Sequence, residues 1–153
     1  MELMRPSGDG YDEHVRSLAG ACAFCRMAEH LDIERLAAWT WVYAAFPYRR
    51  YHTLLVPKRH VTRFSELRSE ELSELVEAVA LAEERYLAAG IVGEPPAAGG
   101  HLVLSWRLRA AFDPTKQSVQ HLHLHLYPRP DGQHDVDLEE DAWDFDTGLL
   151  RRG

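Results

Sequence analysis

Cysteine is nearly absent: Cys22 and Cys25 are the two in 153 residues. Two thiols three positions apart cannot build the disulfide framework of a small secreted domain. They point to a metal or redox site in a reducing compartment, and the expected location is cytoplasmic. Long apolar runs are also missing, since none approaches the ~20 residues of a membrane span. Residues 1–15 carry acids and no apolar core, so they do not read as a secretory signal. No membrane partner is expected. Basic residues are in deficit: 17 Lys and Arg against 24 Asp and Glu leave a net charge of -7. That balance disfavours nucleic-acid binding through a basic surface. Much of the excess acid lies between Asp131 and Asp146. The segment before it is closer to balanced, which still allows a site for a phosphorylated small molecule.

Histidine is what the chain has in quantity, nine in all. Three of them alternate with leucine in His121-Leu122-His123-Leu124-His125-Leu126-Tyr127. In an extended strand, side chains alternate between faces. The imidazoles therefore share one side and the leucines the other, so a core can take the leucines while the histidines line a cleft. Neutral imidazoles so arranged can bind a metal. Alternatively, one can attack an electrophile such as phosphorus while its neighbours handle protons.

Residues 1–20, broken by Pro6, Gly8 and Gly10, read as a loose arm, 21–130 as the single folded domain and 131–153 as an acidic tail. One or two short helices are expected within 22–36. Trp39 to Ala45 and His52 to Val56 read as paired strands around a turn at Pro47-Tyr48-Arg49-Arg50. Residues 69–90 form the clearest helix. Ser69 is its expected cap, Leu72, Leu75, Val76, Val79 and Tyr86 recur at helical spacing, and Gly90 is placed to stop it. His101 to Leu108 reads as a third strand and Val119 to Tyr127 as the histidine strand, ended by Pro128. Such an order argues for an α+β domain on an antiparallel sheet, with an edge or helix free for dimerisation.

Cys22-Ala-Phe-Cys25 is a second motif. It could be half of a zinc site, a redox pair or two buried thiols. A structural zinc needs four ligands. His60, after Val56-Pro57-Lys58-Arg59, and a member of the histidine strand are available to complete the set.

These motifs in this order resemble the histidine triad (HIT) family: Cys22-x-x-Cys25, His52-Thr53-Leu54-Leu55-Val56-Pro57-Lys58-Arg59-His60, a long helix, and Gln117-Ser118-Val119-Gln120-His121 to Leu126. The resemblance covers about residues 22–130. It implies an α+β fold with an antiparallel sheet of about five strands, one long helix and short helices. It also implies a homodimer and nucleotidyl hydrolysis or transfer through a covalent nucleotidyl-histidine. By position, His123 matches the nucleophile, His125 the histidine assisting phosphate and leaving group, and His52 the fourth active-site histidine. Ser118 matches a serine donating to the phosphate or leaving group, with Gln117 beside it. In the zinc-bearing branch the matching ligands are Cys22, Cys25, His60 and His121, which implies a structural Zn2+.

Two departures bear on the substrate. An acid or asparagine that binds ribose usually stands eight residues before the position of His52, and here that residue is Ala44. An Asn-x-Gly loop usually leads to the triad. Here Ser105 to Arg109 and Asp113 to Lys116 stand instead, with Lys116 where glycine often precedes Gln-Ser. Arg107, Arg109 and Lys116 are candidate phosphate contacts in its place. Trp39, Trp41 and Tyr43 alternate on one strand, so one face is either core or the lining of a base pocket, for which Trp41 and Tyr43 are the candidates. The expected partner is a nucleotide or another phosphorylated small molecule. The rival readings are a catalytic metal on the histidine strand and a binding protein without turnover.

Overall fold

Aromatic and β-branched runs separated by turn formers assemble into a five-stranded antiparallel sheet in the computed structural model, which describes residues 24–25, 31–45, 47, 49–93, 100–106, 121–129, 142 and 144–151. The strands are β1 (Asp32–Arg35), β2 (Trp39–Tyr43), β3 (Thr53–Pro57), β4 (His101–Trp106) and β5 (Leu124–Arg129). Their order across the sheet is β1-β2-β3-β5-β4. The histidine strand is therefore central, and β4 is an edge. One long helix, α1 (Ser69–Ala88), separates β3 from β4 in sequence. The α+β class is as expected. No helix among the described residues is long and apolar enough to cross a membrane.

Strand register decides which side chains meet α1. Trp39, Trp41 and Tyr43 pair with Pro57, Leu55 and Thr53, and Thr53 and Leu55 pair with Leu126 and Leu124. Side chains directly opposite one another share a face. The aromatic residues of β2 therefore lie with the leucines of β5. Their face is the one α1 covers: the Trp39 indole donates to the Glu71 carbonyl at 2.7 Å, and the Trp41 ring lies 6.0 Å from that of Tyr86. Trp39, Trp41, Tyr43, Leu55, Leu124 and Tyr86 are all buried in this layer. Burying such a side chain contributes on the order of 1.5–3 kcal/mol relative to leaving it exposed, so this layer supplies much of the stability.

The helix cap falls one residue before the expected one. Arg68 holds the N-cap position, and its backbone N–H donates to the Glu71 carboxylate at 2.8 Å. Glu71 satisfies that donor from within the first turn, so Ser69 is left as the first helical residue rather than the cap. Gly90 does stop the helix. It takes φ 71°, its N–H bonds to the Leu87 carbonyl at 3.0 Å, and the Ile91 N–H bonds to the Tyr86 carbonyl at 3.2 Å. This is the Schellman arrangement, which needs a residue free to adopt left-handed backbone.

Three boundaries differ from expectation. The segment 32–35, expected within a stretch of short helices, is the edge strand β1, paired with β2 across a bulge between Asp32 and Glu34. Its sequence, Asp-Ile-Glu-Arg, has no strand signature of its own, and pairing with a strong neighbour overrides that. The histidine strand runs later than expected, over Leu124–Arg129, so His121, at a bend, and His123 lie just before it. Pro128 sits inside β5 rather than ending it. The described β3 pairing stops at Leu126, so that side of the strand needs no further donor and proline is accommodated.

Candidate functional site

The site grows from the face of the sheet away from α1. His125 pairs with Leu54 of β3 and Ser105 of β4, while His52 stands immediately before β3. The His52 Nε2 and His125 Nδ1 atoms are 2.9 Å apart, with the rings stacked at 5.1 Å. One ring therefore donates an N–H and the other accepts. His52 is buried and its pKa lies well below the usual histidine value. Burial is the main cause, reinforced by His125, His123 and the Arg49 guanidinium, all of which oppose a second positive charge.

His123 follows the same alternation, its ring 5.1 Å from that of His125. Its Nδ1 donates to the backbone carbonyl of His121 at 2.8 Å. That bond commits Nδ1 to carrying the proton in the neutral ring and leaves Nε2 with its lone pair. The partner of its far nitrogen is thus a main-chain carbonyl two residues back.

His121 turns to a different task. It is buried, and its Nε2 donates to the Pro57 carbonyl at 2.8 Å. The pKa of His121 is lowered, chiefly by burial, against the opposing effect of that hydrogen bond. Its Nδ1 faces Cys25 Sγ at 3.5 Å, and Cys25 Sγ is 3.2 Å from His60 Nδ1. A backbone bond beyond the strands explains the meeting: the Leu122 N–H bonds to the Val61 carbonyl at 2.7 Å, which holds His121 beside His60. Among the described residues, Cys25, His60 and His121 form the group whose ligand atoms all lie within 4.8 Å. Zinc–sulfur and zinc–nitrogen bonds of about 2.3 and 2.0–2.1 Å at a tetrahedral angle set sulfur and nitrogen roughly 3.5 Å apart. The two sulfur–nitrogen distances fit that spacing. So does the tautomer of His121, whose second nitrogen is tied to a carbonyl as metal-bound histidines usually require.

Cys22, Arg107, Lys116, Gln117 and Ser118 lie outside the described residues. Trp41 and Tyr43 are described, and the structure does not bring them to the histidines. They occupy the opposite, α1-covered face, where the Trp41 indole donates to Thr53 Oγ1 at 2.8 Å and the Tyr43 hydroxyl donates to the Thr147 carbonyl at 2.6 Å. Burial raises the Tyr43 pKa to about 12, so the hydroxyl keeps its proton. Strand alternation gave their phase; the pairing of Trp41 with Leu55 determines the face. The base-pocket expectation for these two residues is therefore corrected to core packing.

Three residues near the site were not expected there. Phe24, within the Cys-x-x-Cys motif, sets its ring 4.8 Å from His123 and 5.8 Å from His121. Tyr127 continues the histidine alternation and meets His52 edge-on at 5.7 Å. Its phase was visible in the run His121 to Tyr127. Arg49, expected in a polar turn, is buried with its guanidinium 5.6 Å from the Tyr127 ring.

Comparison with known proteins bears on the fold and the family. An uncharacterized HIT-like protein of Methanocaldococcus jannaschii is 31% identical over 90 residues, covering 59% of this chain and 61% of its own. The chain thus spans about three fifths of the length of that relative. A Zn-bound histidine triad family protein from Mycobacterium smegmatis superposes with a TM-score of 0.60 at 24% identity, over 86% of this chain and 91% of the other. A hypothetical histidine triad nucleotide-binding protein from Sulfolobus tokodaii gives a TM-score of 0.61 at 21% identity, over 84% of each chain. These two likenesses concern the fold. The HIT domain family model matches residues 37–132, which takes in the His52 strand, the helix and all three alternating histidines; the chain belongs to the HIT domain family.

Proposed function

We propose that this chain is a nucleotidyl hydrolase or transferase acting on a phosphoanhydride or phosphoramidate bond, with His123 as nucleophile. The observation that carries the reading is the bond from His123 Nδ1 to the His121 carbonyl at 2.8 Å, which presents Nε2 as the attacking atom. The Nε2 lone pair forms a bond to phosphorus as the bond to the leaving group breaks, giving a nucleotidyl-histidine. His125 assists the departing oxygen or nitrogen with a hydrogen bond from its ring N–H, and the leaving group departs with the bonding pair and takes its proton from solvent. With His52 Nε2 donating to His125 Nδ1, the His125 proton sits on Nε2, the nitrogen left for the leaving group. Water or another acceptor then attacks phosphorus and regenerates His123. Ser118 and Gln117 would donate to the phosphate oxygens, with Lys116 and Arg107 as further phosphate contacts.

Cys25, His60 and His121, with Cys22 as the fourth ligand, would hold a structural zinc. Bound there, it would fix the start of the histidine segment and so the aim of His123. We further infer a homodimer. Its support is the edge position of β4 and the exposed Leu104 on that strand.

The test is intact mass spectrometry after brief incubation with nucleoside phosphoramidates and dinucleoside polyphosphates. A nucleotidyl adduct in the wild type and its loss in His123→Ala is the expected result. Binding of these donors with no adduct at any time point would favour a binding protein on the same scaffold.

A further inference from the structure

The turn that delivers His52 contains the single non-glycine residue of positive φ among the described residues, Tyr51 at 60°. The His52 N–H bonds to the Arg49 carbonyl at 3.2 Å, so residues 49–52 close a β-turn with Tyr51 in its third position. Positive φ at that position suits glycine or asparagine. A tyrosine there brings its Cβ against its own carbonyl, and it persists only where the surroundings hold it.

Two side chains from distant parts of the chain do the holding. Tyr86 of α1, fully buried, donates its hydroxyl to the Tyr51 carbonyl, and the same oxygen lies 3.0 Å from Thr53 Oγ1. One hydroxyl thus ties the residues on both sides of His52. From the C-terminal segment, the Phe145 ring lies 4.6 Å from that of Tyr51 and 5.6 Å from that of Tyr43. The segment carrying Phe145 is itself anchored by the bond from Tyr43 to Thr147 and by the buried Leu150.

We propose that Tyr51, Tyr86 and Phe145 are positioning residues for His52, and that α1 and the C-terminal segment together hold the turn in the left-handed form that aims His52 Nε2 at His125 Nδ1. The assignment rests on the reading that the His52–His125 pair belongs to the catalytic machinery. A change of Tyr51 to ordinary negative φ would redirect the following Cα–Cβ bond, and the 2.9 Å contact could not survive it. Docking of the C-terminal segment is therefore coupled to the geometry of the site.

The test reads the contact directly. Long-range proton–nitrogen NMR of the histidine rings reports the hydrogen-bonded nitrogens of His52 and His125, with signals assigned through His52→Gln and His125→Gln. Phe145→Ala is expected to abolish the bonded pattern. Phe145→Ala combined with Tyr51→Gly is expected to restore it, because glycine holds positive φ unaided. Tyr86→Phe, which removes a hydroxyl and no bulk, is a second probe and should also lose the pattern. A wild-type pattern in Phe145→Ala or in Tyr86→Phe, or no restoration by glycine, would overturn the proposal. Adduct formation from an adenosine phosphoramidate should slow on the order of ten- to a hundredfold in the two single variants and recover with glycine. If the ring signals behave as expected but the wild type forms no adduct, the nucleotidyl reading fails and the positioning role stands.

Discussion

His52 should make the protein progressively less stable as pH falls below about 6.5, the ordinary histidine value. Burial, the neighbouring rings of His125 and His123, and the Arg49 guanidinium hold the folded His52 neutral well below that point. In the unfolded chain nothing does. Above pH 6.5 both states leave this ring neutral and its contribution is constant. Below it the unfolded state takes up a proton that the folded state refuses, so stability falls by up to about 1.4 kcal/mol for each further pH unit, until the folded ring itself titrates. Comparison with His52→Gln isolates the effect, because other acid-sensitive groups, including Cys25, His60 and His121, are shared. Urea unfolding followed by tryptophan fluorescence at pH 7.5, 6.5 and 5.5 measures both proteins. The stability gap between wild type and variant should hold from pH 7.5 to near 6.5, then narrow by up to about 1.4 kcal/mol by pH 5.5. A gap that stays constant would show that His52 titrates alike in both states. A gap that widens would mean that the fold favours the charged ring, and the buried-neutral account would fail.

Other outcomes follow from single contacts. Trp41→Phe removes the indole donor to Thr53 Oγ1, and urea unfolding should show a loss of about 1–3 kcal/mol. Substrate KM should not change, because the ring faces α1, and a raised KM would return Trp41 to the site. Cys25→Ser should lose bound zinc, read by metal analysis of the purified protein, and lower Tm; full retention of metal would place it elsewhere. Gly90→Ala puts a Cβ into open space but forces alanine to φ 71°, so the expected cost is that of left-handed backbone alone, roughly 1–2 kcal/mol by thermal unfolding.

What could be read in advance was what depends on local pattern. The period-two alternation of His121 to Tyr127, the period of α1 and the glycine at its end each express backbone geometry that neighbouring residues determine. What could not be read depends on partners far along the chain. β1 exists because β2 offers it a ladder, not because Asp-Ile-Glu-Arg prefers a strand. The face of Trp41 depends on its pairing with Leu55, which no spacing within β2 encodes. Nor does any local pattern name the two carbonyls that hold the rings of His121 and His123, those of Pro57 and of His121 itself. Tyr51 gives no sign of its left-handed backbone, because tyrosine is not a turn residue and it is held by Tyr86 and Phe145, 35 and 94 positions away. Arg49 sits in a polar turn by composition, yet it is buried against Tyr127.

The central claim is that His123 Nε2 attacks phosphorus. Its most direct test is rapid-quench intact mass spectrometry with an adenosine phosphoramidate, followed by peptide mapping of the adduct. The account predicts an added adenylyl group on His123, formed and discharged at the turnover rate and absent from His123→Ala. Turnover without that adduct at any quench time, or normal turnover by His123→Ala, would contradict it.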